Sequence, residues 1–275
     1  MAASTTASPT TVPTTTTFGD ELRRWRATRR MSQLDLAVAA EVSQRHVSFL
    51  ETGRSKPSPE MVVHLATSLD LALRDQNALL ITAGFAPAYP ERGLDDPELD
   101  QVRSVLETLL AAHAHFPAYV VDRGWDIVLA NPAATLVTAF GDDADPAIAG
   151  NAMRLVLHPD GIRDLVVNWE QLATALLHRF DREVAHRPHD DRLAALAHEV
   201  AGYPGVGQLP DRPVLPTGED LLVPVHIRLD DLDLRFFTTI ATIGAPFDVT
   251  LEELRLETLL PADEATDAFL RAAGR

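Results

Sequence analysis

The chain contains no cysteine, which rules out disulfide bonds and thiolate metal sites and fits a reducing compartment. It has no run of about eighteen apolar residues, so no membrane-spanning helix is expected. Its opening segment, MAASTTASPTTVPTTTT, lacks both a basic residue and an apolar block. It is therefore no secretory signal, and its Thr, Ser and Pro content reads as a disordered tail over residues 1–17. Without a targeting signal the expected location is the cytoplasm. The patterns of nucleotide and acyl chemistry are missing too. No G-x-S-x-G, Walker A or dinucleotide fingerprint occurs, and the glycines of AGYPGVG (201–207) lack the strand and helix that flank a phosphate loop. No nucleophile–base pair stands out, so neither an enzyme nor a cofactor is expected.

What is present is unevenly arranged. The net charge of −16 argues against nucleic acid at first sight. Between Phe18 and Lys56, however, eight basic side chains (Arg23, Arg24, Arg26, Arg29, Arg30, Arg45, Arg54 and Lys56) face only five acids. One basic face on an acidic body is the implied pattern. The length of 275 residues suits two domains. A stretch with three prolines and two glycines, residues 84–97, reads as the linker between residues 18–83 and residues 98–275.

Residues 18–83 read as five short helices. Ser32 and Ser43 stand at N-cap positions before QLDLAVAA and QRHVSFLE. Only Glu41 and Val42 separate those two helices, a turn short enough to set them at a steep angle. Leu22, Trp25, Leu36, Ala37, Val42, Val47, Leu50, Met61, Leu65 and Leu69 fall where five packed helices bury them. Ser43, Gln44, Arg45, His46 and Ser48 are left facing outward from the second helix of the pair. Gln can bond adenine bidentately, Arg can bond guanine, and Ser can meet several base edges. His46 reads equally as a base contact or as a surface side chain. Gln33 can offer its amide and backbone N–H to a phosphate, and Arg54, Ser55 and Lys56 follow where a DNA backbone would run.

Residues 98–275 mix helices and strands. A helix is expected over 97–115, strands over 118–122 and 126–130, a long helix over 164–186 and another over 190–202. A Pro- and Gly-rich loop over 203–219 follows. Period-two patterning then marks strands through Leu221–Leu229, through Leu234–Thr242 and around Leu254, Leu256 and Thr258, before a closing helix over 262–272. The expected architecture is an all-α five-helix N-terminal domain followed by an α+β domain, an antiparallel sheet with helices against it. Among ten histidines, the pairs His113/His115 and His186/His189 have no nearby acids in an open-site pattern apart from Asp190 and Asp191; of a metal or haem role and a helix-end role, the latter is the expected one.

At this point the residues match families. The pieces LRRWRATRRMSQLDLA, VSQRHVSFLETGRSKPSPE and LATSLDL resemble the lambda-repressor/Cro-like (Xre-type) helix-turn-helix. That resemblance implies a regulator of double-stranded DNA in which Gln33 contacts phosphate and Gln44, Arg45 and Ser48 face bases. It also implies a homodimer on paired half-sites. DRGWDIVLANPA (122–133), NAMR (151–154), NWE (168–170), YPGVG (203–207) and LPADEAT (260–266) resemble the PAS-like ligand-binding domain of MmyB-like regulators. The resemblance implies a small, often fatty-acid-like ligand, although the stretch before Tyr203 departs from the family pattern.

A sheet with one apolar face under an amphipathic helix can leave an apolar cavity between the layers. Trp125, Phe140, Met153, Trp169, Phe180, Phe236 and Ile240 are candidate lining residues, or ordinary core. Arg154 or Arg235 is the candidate anchor for a carboxylate head group. Asn131 reads as a helix cap. A second reading makes the C-terminal region only a dimerisation or partner-protein module.

Overall fold

The computed structural model describes residues 16–138, 145–188, 190–210 and 222–273. The candidates Phe140, His189 and Leu221 lie outside the described residues. The chain divides into two compact units. One comprises the residues up to Glu91 together with Phe247–Val249, and the other comprises Arg92–Pro246 and Thr250 onward.

The N-terminal unit holds five helices: α1 (Phe18–Thr28), α2 (Gln33–Ala39), α3 (Gln44–Glu51), α4 (Pro59–Ser68) and α5 (Leu73–Thr82). Four start on a hydroxyl cap. Thr17 and Ser32 form reciprocal capping boxes with Asp20 and Asp35, Ser43 accepts from the His46 N–H, and Ser58 caps α4 ahead of Pro59. All five end in a Schellman motif. After α2, for example, the Val42 N–H reaches the Ala37 carbonyl and the Glu41 N–H reaches that of Val38. The left-handed residue this requires is glycine after α3 and α5 (Gly53 and Gly84). It is Arg30, Glu41 and Asp70 after α1, α2 and α4, with φ of 54°, 50° and 52°. Leu22, Trp25, Leu36, Ala37, Val47, Leu50, Leu65 and Leu69 are buried in one core, with Val42 and Met61 at its edge.

The C-terminal unit is α+β, as its pattern implied, and has the PAS-like sheet-and-helix architecture that the resemblance implied. Its helices are α6 (Asp100–Ala112), α7 (Thr135–Thr138), α8 (Pro146–Ala149), α9 (Ala152–Leu157), α10 (Trp169–His186), α11 (Asp191–Ala201), α12 (Val249–Glu253, all but its first residue in this unit) and α13 (Glu264–Ala273). Its strands are β1 (Ala118–Val121), β2 (Ile127–Ala130), β3 (Val225–Leu229), β4 (Leu232–Thr242) and β5 (Arg255–Pro261). They form one antiparallel sheet in the order β2-β1-β5-β4-β3. Alternation along the strands sends Val120 and Leu256 to one face, where Leu106 and Leu110 of α6 cover them. Val121, Ile227, Phe236 and Leu259 go to the other, under α9, α10 and α11.

Two elements differ from expectation. The long helix starts at Trp169, not at residue 164, because a short 3-10 turn over Arg163–Leu165 leads into backbone that is tied to β3. Val166 bridges to Ile227, and the Val167 N–H donates to the His226 carbonyl at 2.8 Å. Asn168 closes the join, its amide donating to the Pro224 carbonyl and its oxygen accepting from the His226 N–H. β3 starts at Val225, directly after Pro224, whose ring nitrogen has no hydrogen for the ladder.

Candidate DNA-reading face and ligand cavity

α3 leaves the α2–α3 turn with Ser43, Gln44 and Arg45 exposed, and with His46, Ser48 and Phe49 half-buried. Val47 and Leu50 pin its other face to the core. The Arg45 and Arg54 guanidiniums lie 5.0 and 5.9 Å from the Phe49 ring centre, cation–π contacts that hold two long side chains beside α3.

Below this surface sits a residue the sequence reading counted only as an acid. Glu51 is 3% exposed. Its oxygens accept from Arg26 Nε at 2.6 Å, Arg26 Nη2 at 3.1 Å and Gln33 Nε2 at 2.7 Å, with Arg23 Nε 3.6 Å away. Burial alone would raise the Glu51 carboxyl. The hydrogen bonds from Arg26 and Gln33, with the charges of Arg26 and Arg23, outweigh it and hold it below its ordinary value. The carboxylate therefore ties α1, α2 and α3 together and orients the Gln33 side chain. Gly19 lets α1 approach: a Cβ there would lie 2.6 Å from the Glu51 carbonyl oxygen.

The expected basic face is accordingly narrower than the count of eight suggested. Arg23 and Arg26 serve Glu51, Arg24 pairs with Glu21, and Arg29 caps α4 through the carbonyls of Leu69 and Asp70. Among the described residues, Arg30, Arg45, Arg54 and Lys56 have no acidic partner, and all four are exposed. The last three surround α3.

In the C-terminal unit an apolar cavity of about 190 Å³ lies between the sheet and α10. Leu172, Ala175, Leu176 and Arg179 of α10 form one wall at helical spacing, and Tyr119, Ile227, Ile240, Glu257 and Leu259 of the sheet form the opposite one. Trp125 closes an end. It sits in the β1–β2 turn with φ of 64° and is fully buried. Asp122 builds that turn by accepting from the N–H groups of Gly124 and Asp126, and Asn151 ties it down through the Gly124 carbonyl.

Around Trp125 stands a charged cluster. The Arg179 and Arg255 guanidiniums lie 4.5 and 4.6 Å from its ring, and its Nε1 donates to Glu183 at 3.2 Å. Arg179 reaches Glu257 at 2.6 Å and Glu183 at 3.5 Å, and Arg255 reaches Glu183 at 2.5 Å. The Tyr119 hydroxyl donates to Glu257 at 3.3 Å. Burial, then the Glu257 charge, push the Tyr119 phenol well above its ordinary value, so it stays a neutral donor.

Of the proposed lining residues, Trp125 and Ile240 border this cavity. Met153, Phe180 and Phe236 are fully buried in the surrounding core, Phe180 edge-on to Trp125 with ring centres 5.8 Å apart. Trp169 donates its Nε1 to the Val156 carbonyl and lies under Arg163. Neither proposed anchor reaches the cavity wall. Arg154 turns to α11, where Glu199 takes it bidentately at 2.7 and 2.8 Å, and Arg235 lies on the exposed side of β4, opposite Phe236. The cation on the wall is Arg179. Asn131 caps the turn after β2, accepting from the N–H groups of Ala134 and Ala118. Among the described residues no three metal-ligating side chains come together, and no helix is long and apolar enough to cross a membrane.

A helix-turn-helix whose second helix turns Gln44 and Arg45 outward, carried on the same chain as a sheet-and-helix domain with an apolar cavity, is the arrangement of a DNA-binding transcription regulator. The comparisons agree. Residues 17–79 match the helix-turn-helix domain, and residues 102–273 match the MmyB-like transcription regulator ligand binding domain. The second match spans well over half of the chain, which belongs to the MmyB-like transcription regulators. No curated protein shows a match to it.

Proposed function

We propose that the protein is a ligand-responsive regulator. It binds paired DNA half-sites as a homodimer through α3 and takes a small hydrophobic molecule into the cavity under α10. Gln44, Arg45, Ser48 and His46 read base edges. Gln33, Ser43, Arg54 and Lys56 hold the phosphate backbone. The observation that carries this reading is the cavity itself: about 190 Å³ of mostly apolar wall beside a buried polar cluster, on a chain whose other unit presents free guanidines. Ligand changes DNA affinity only to the extent that it binds the two states of the dimer differently. Such a protein works where the chromosome is, in the cytoplasm of a bacterial cell.

The test starts from an operator selected out of random duplex DNA. Fluorescence anisotropy should show salt-sensitive binding. The Gln44→Ala/Arg45→Ala variant should lose about 1–3 kcal/mol per good base contact. Wild-type affinity in that variant would end the assignment of α3 as the reader. The exposed Val105 and Leu109, one turn apart on α6, favour a second reading in which the C-terminal unit serves only to pair two copies. Full operator affinity that no small molecule alters would support it.

A further inference from the structure

We propose that Phe49 is a specificity-determining residue. With Arg45 it reads a two-base-pair step: a guanine under Arg45 and, in the adjoining pair, a thymine whose C5-methyl meets the Phe49 ring. This rests on reading α3 as the helix that enters the major groove. Phe49 is the only apolar side chain of α3 that stays out of the core. Val47 and Leu50 are 0% and 1% exposed. Phe49 is half-buried, and it is neither a member of that core nor packed against it. It stands four residues after the exposed Arg45, so the two share one face of the helix, a turn apart. The ring instead carries the Arg45 guanidinium at 5.0 Å and the Arg54 guanidinium at 5.9 Å.

Neither guanidinium has an acidic partner among the described residues. Two cations gathered on one ring repel each other, and at an exposed site the ring returns little. Acceptors from a partner offset the repulsion. The major-groove edge of guanine supplies them for Arg45, and a nearby phosphate supplies them for Arg54. The ring holds both side chains in place before DNA arrives, so less of their freedom is lost on binding. Geometry then sets the register. Successive base pairs rise by about 3.4 Å. A guanidinium bidentate on guanine O6 and N7 occupies the edge of that pair. A ring centred 5.0 Å away falls on the adjoining pair. The apolar group that base edges present there is the thymine methyl. Under a phenyl ring the amino, carbonyl and ring-nitrogen groups of the other bases would lose their partners.

The test uses the full-length protein and a duplex operator selected from random DNA, with binding followed by fluorescence anisotropy at fixed salt. The guanine under Arg45 is the one whose replacement by 7-deazaguanine weakens the wild type and leaves Arg45→Ala unaffected. The thymine in the adjoining pair, on either strand, is then replaced by deoxyuridine, which keeps the pairing and removes only the methyl. The wild type should weaken about four-fold, the worth of one buried methyl group. Phe49→Ala should bind the thymine and deoxyuridine duplexes equally. If that variant fails to fold, the wild-type comparison decides. Three results overturn the proposal while leaving α3 the reader: no such guanine with a thymine beside it, equal binding of both duplexes by the wild type, or the full methyl preference retained in folded Phe49→Ala. Wild-type operator affinity in Arg45→Ala removes the reading of α3 and the proposal with it.

Discussion

Replacing Glu51 by Gln probes how the helix-turn-helix is held. The wild-type carboxylate takes two bonds from Arg26 and one from Gln33, at 2.6–3.1 Å, inside the core. Gln has nearly the same shape but no charge, and one of its two polar ends is a donor facing donors. At least one charge-assisted bond is lost, at about 1.5–3 kcal/mol. The Arg26 side chain, only 15% exposed, keeps a charge with no buried counterion. Breaking a buried pair costs about 3–5 kcal/mol. Arg26 retains the Met31 carbonyl at 2.8 Å, so the low end applies, and about 3 kcal/mol is expected at neutral pH.

The pH dependence sharpens this test. A carboxyl lowered in the folded state adds stability that is fully present above its unfolded value and is lost as the pH falls through its folded value. Glu51 is lowered from 4.5. A protonated Glu is close to a Gln in shape and charge. The gap between wild type and variant should therefore be full at neutral pH and shrink as the pH drops below 4.5. Urea unfolding followed by circular dichroism across that range reads the gap directly. A gap under about 0.5 kcal/mol at neutral pH, well below the cost of a broken buried pair, would refute the reasoning. So would a gap that persists undiminished in acid.

Glu41→Gly should raise the urea midpoint by the equivalent of about 0.5–1 kcal/mol. It relieves a left-handed residue that costs about 1–2 kcal/mol, against the greater unfolded freedom of glycine; a lowered midpoint would contradict the turn geometry. Gly19→Ala should destabilise by about 1–3 kcal/mol in the same assay, as overpacking does, because α1 cannot keep its distance from the Glu51 carbonyl. Ala175→Phe should fill the cavity from α10, leaving the protein folded but its melting temperature unmoved by any small apolar molecule that shifts the wild type. A wild-type shift in that variant would place the ligand elsewhere.

Much of this architecture could be read residue by residue. Ser32 and Ser43 cap the helices they precede, and Glu41 occupies the turn between them. The period-two runs became β3, β4 and β5, and Asp190, where a helix was expected to begin, is the N-cap of α11, which starts one residue later. Helix ends were harder. Arg30, Glu41 and Asp70 adopt the conformation that glycine usually marks, and only the core that fixes the next helix compels them to do so. Glu257 was hidden for a related reason. Reading Leu254, Leu256 and Thr258 as the buried side of a strand turns Glu257 outward, but β5 is central and covered on both faces.

The division follows sequence distance. The caps, the short turn, the helical and strand periods and the outward set on α3 all arise from groups within a few residues of one another, so the chain specifies them locally. The Glu51 hub joins Arg26 across 25 positions, and the cavity cluster joins Arg179 to Glu257 across 78. Such pairs form only when packing brings distant segments together and removes the water that would otherwise solvate each charge alone. Which arginines keep no acidic partner, and which cation meets the cavity, were therefore decided by the tertiary fold.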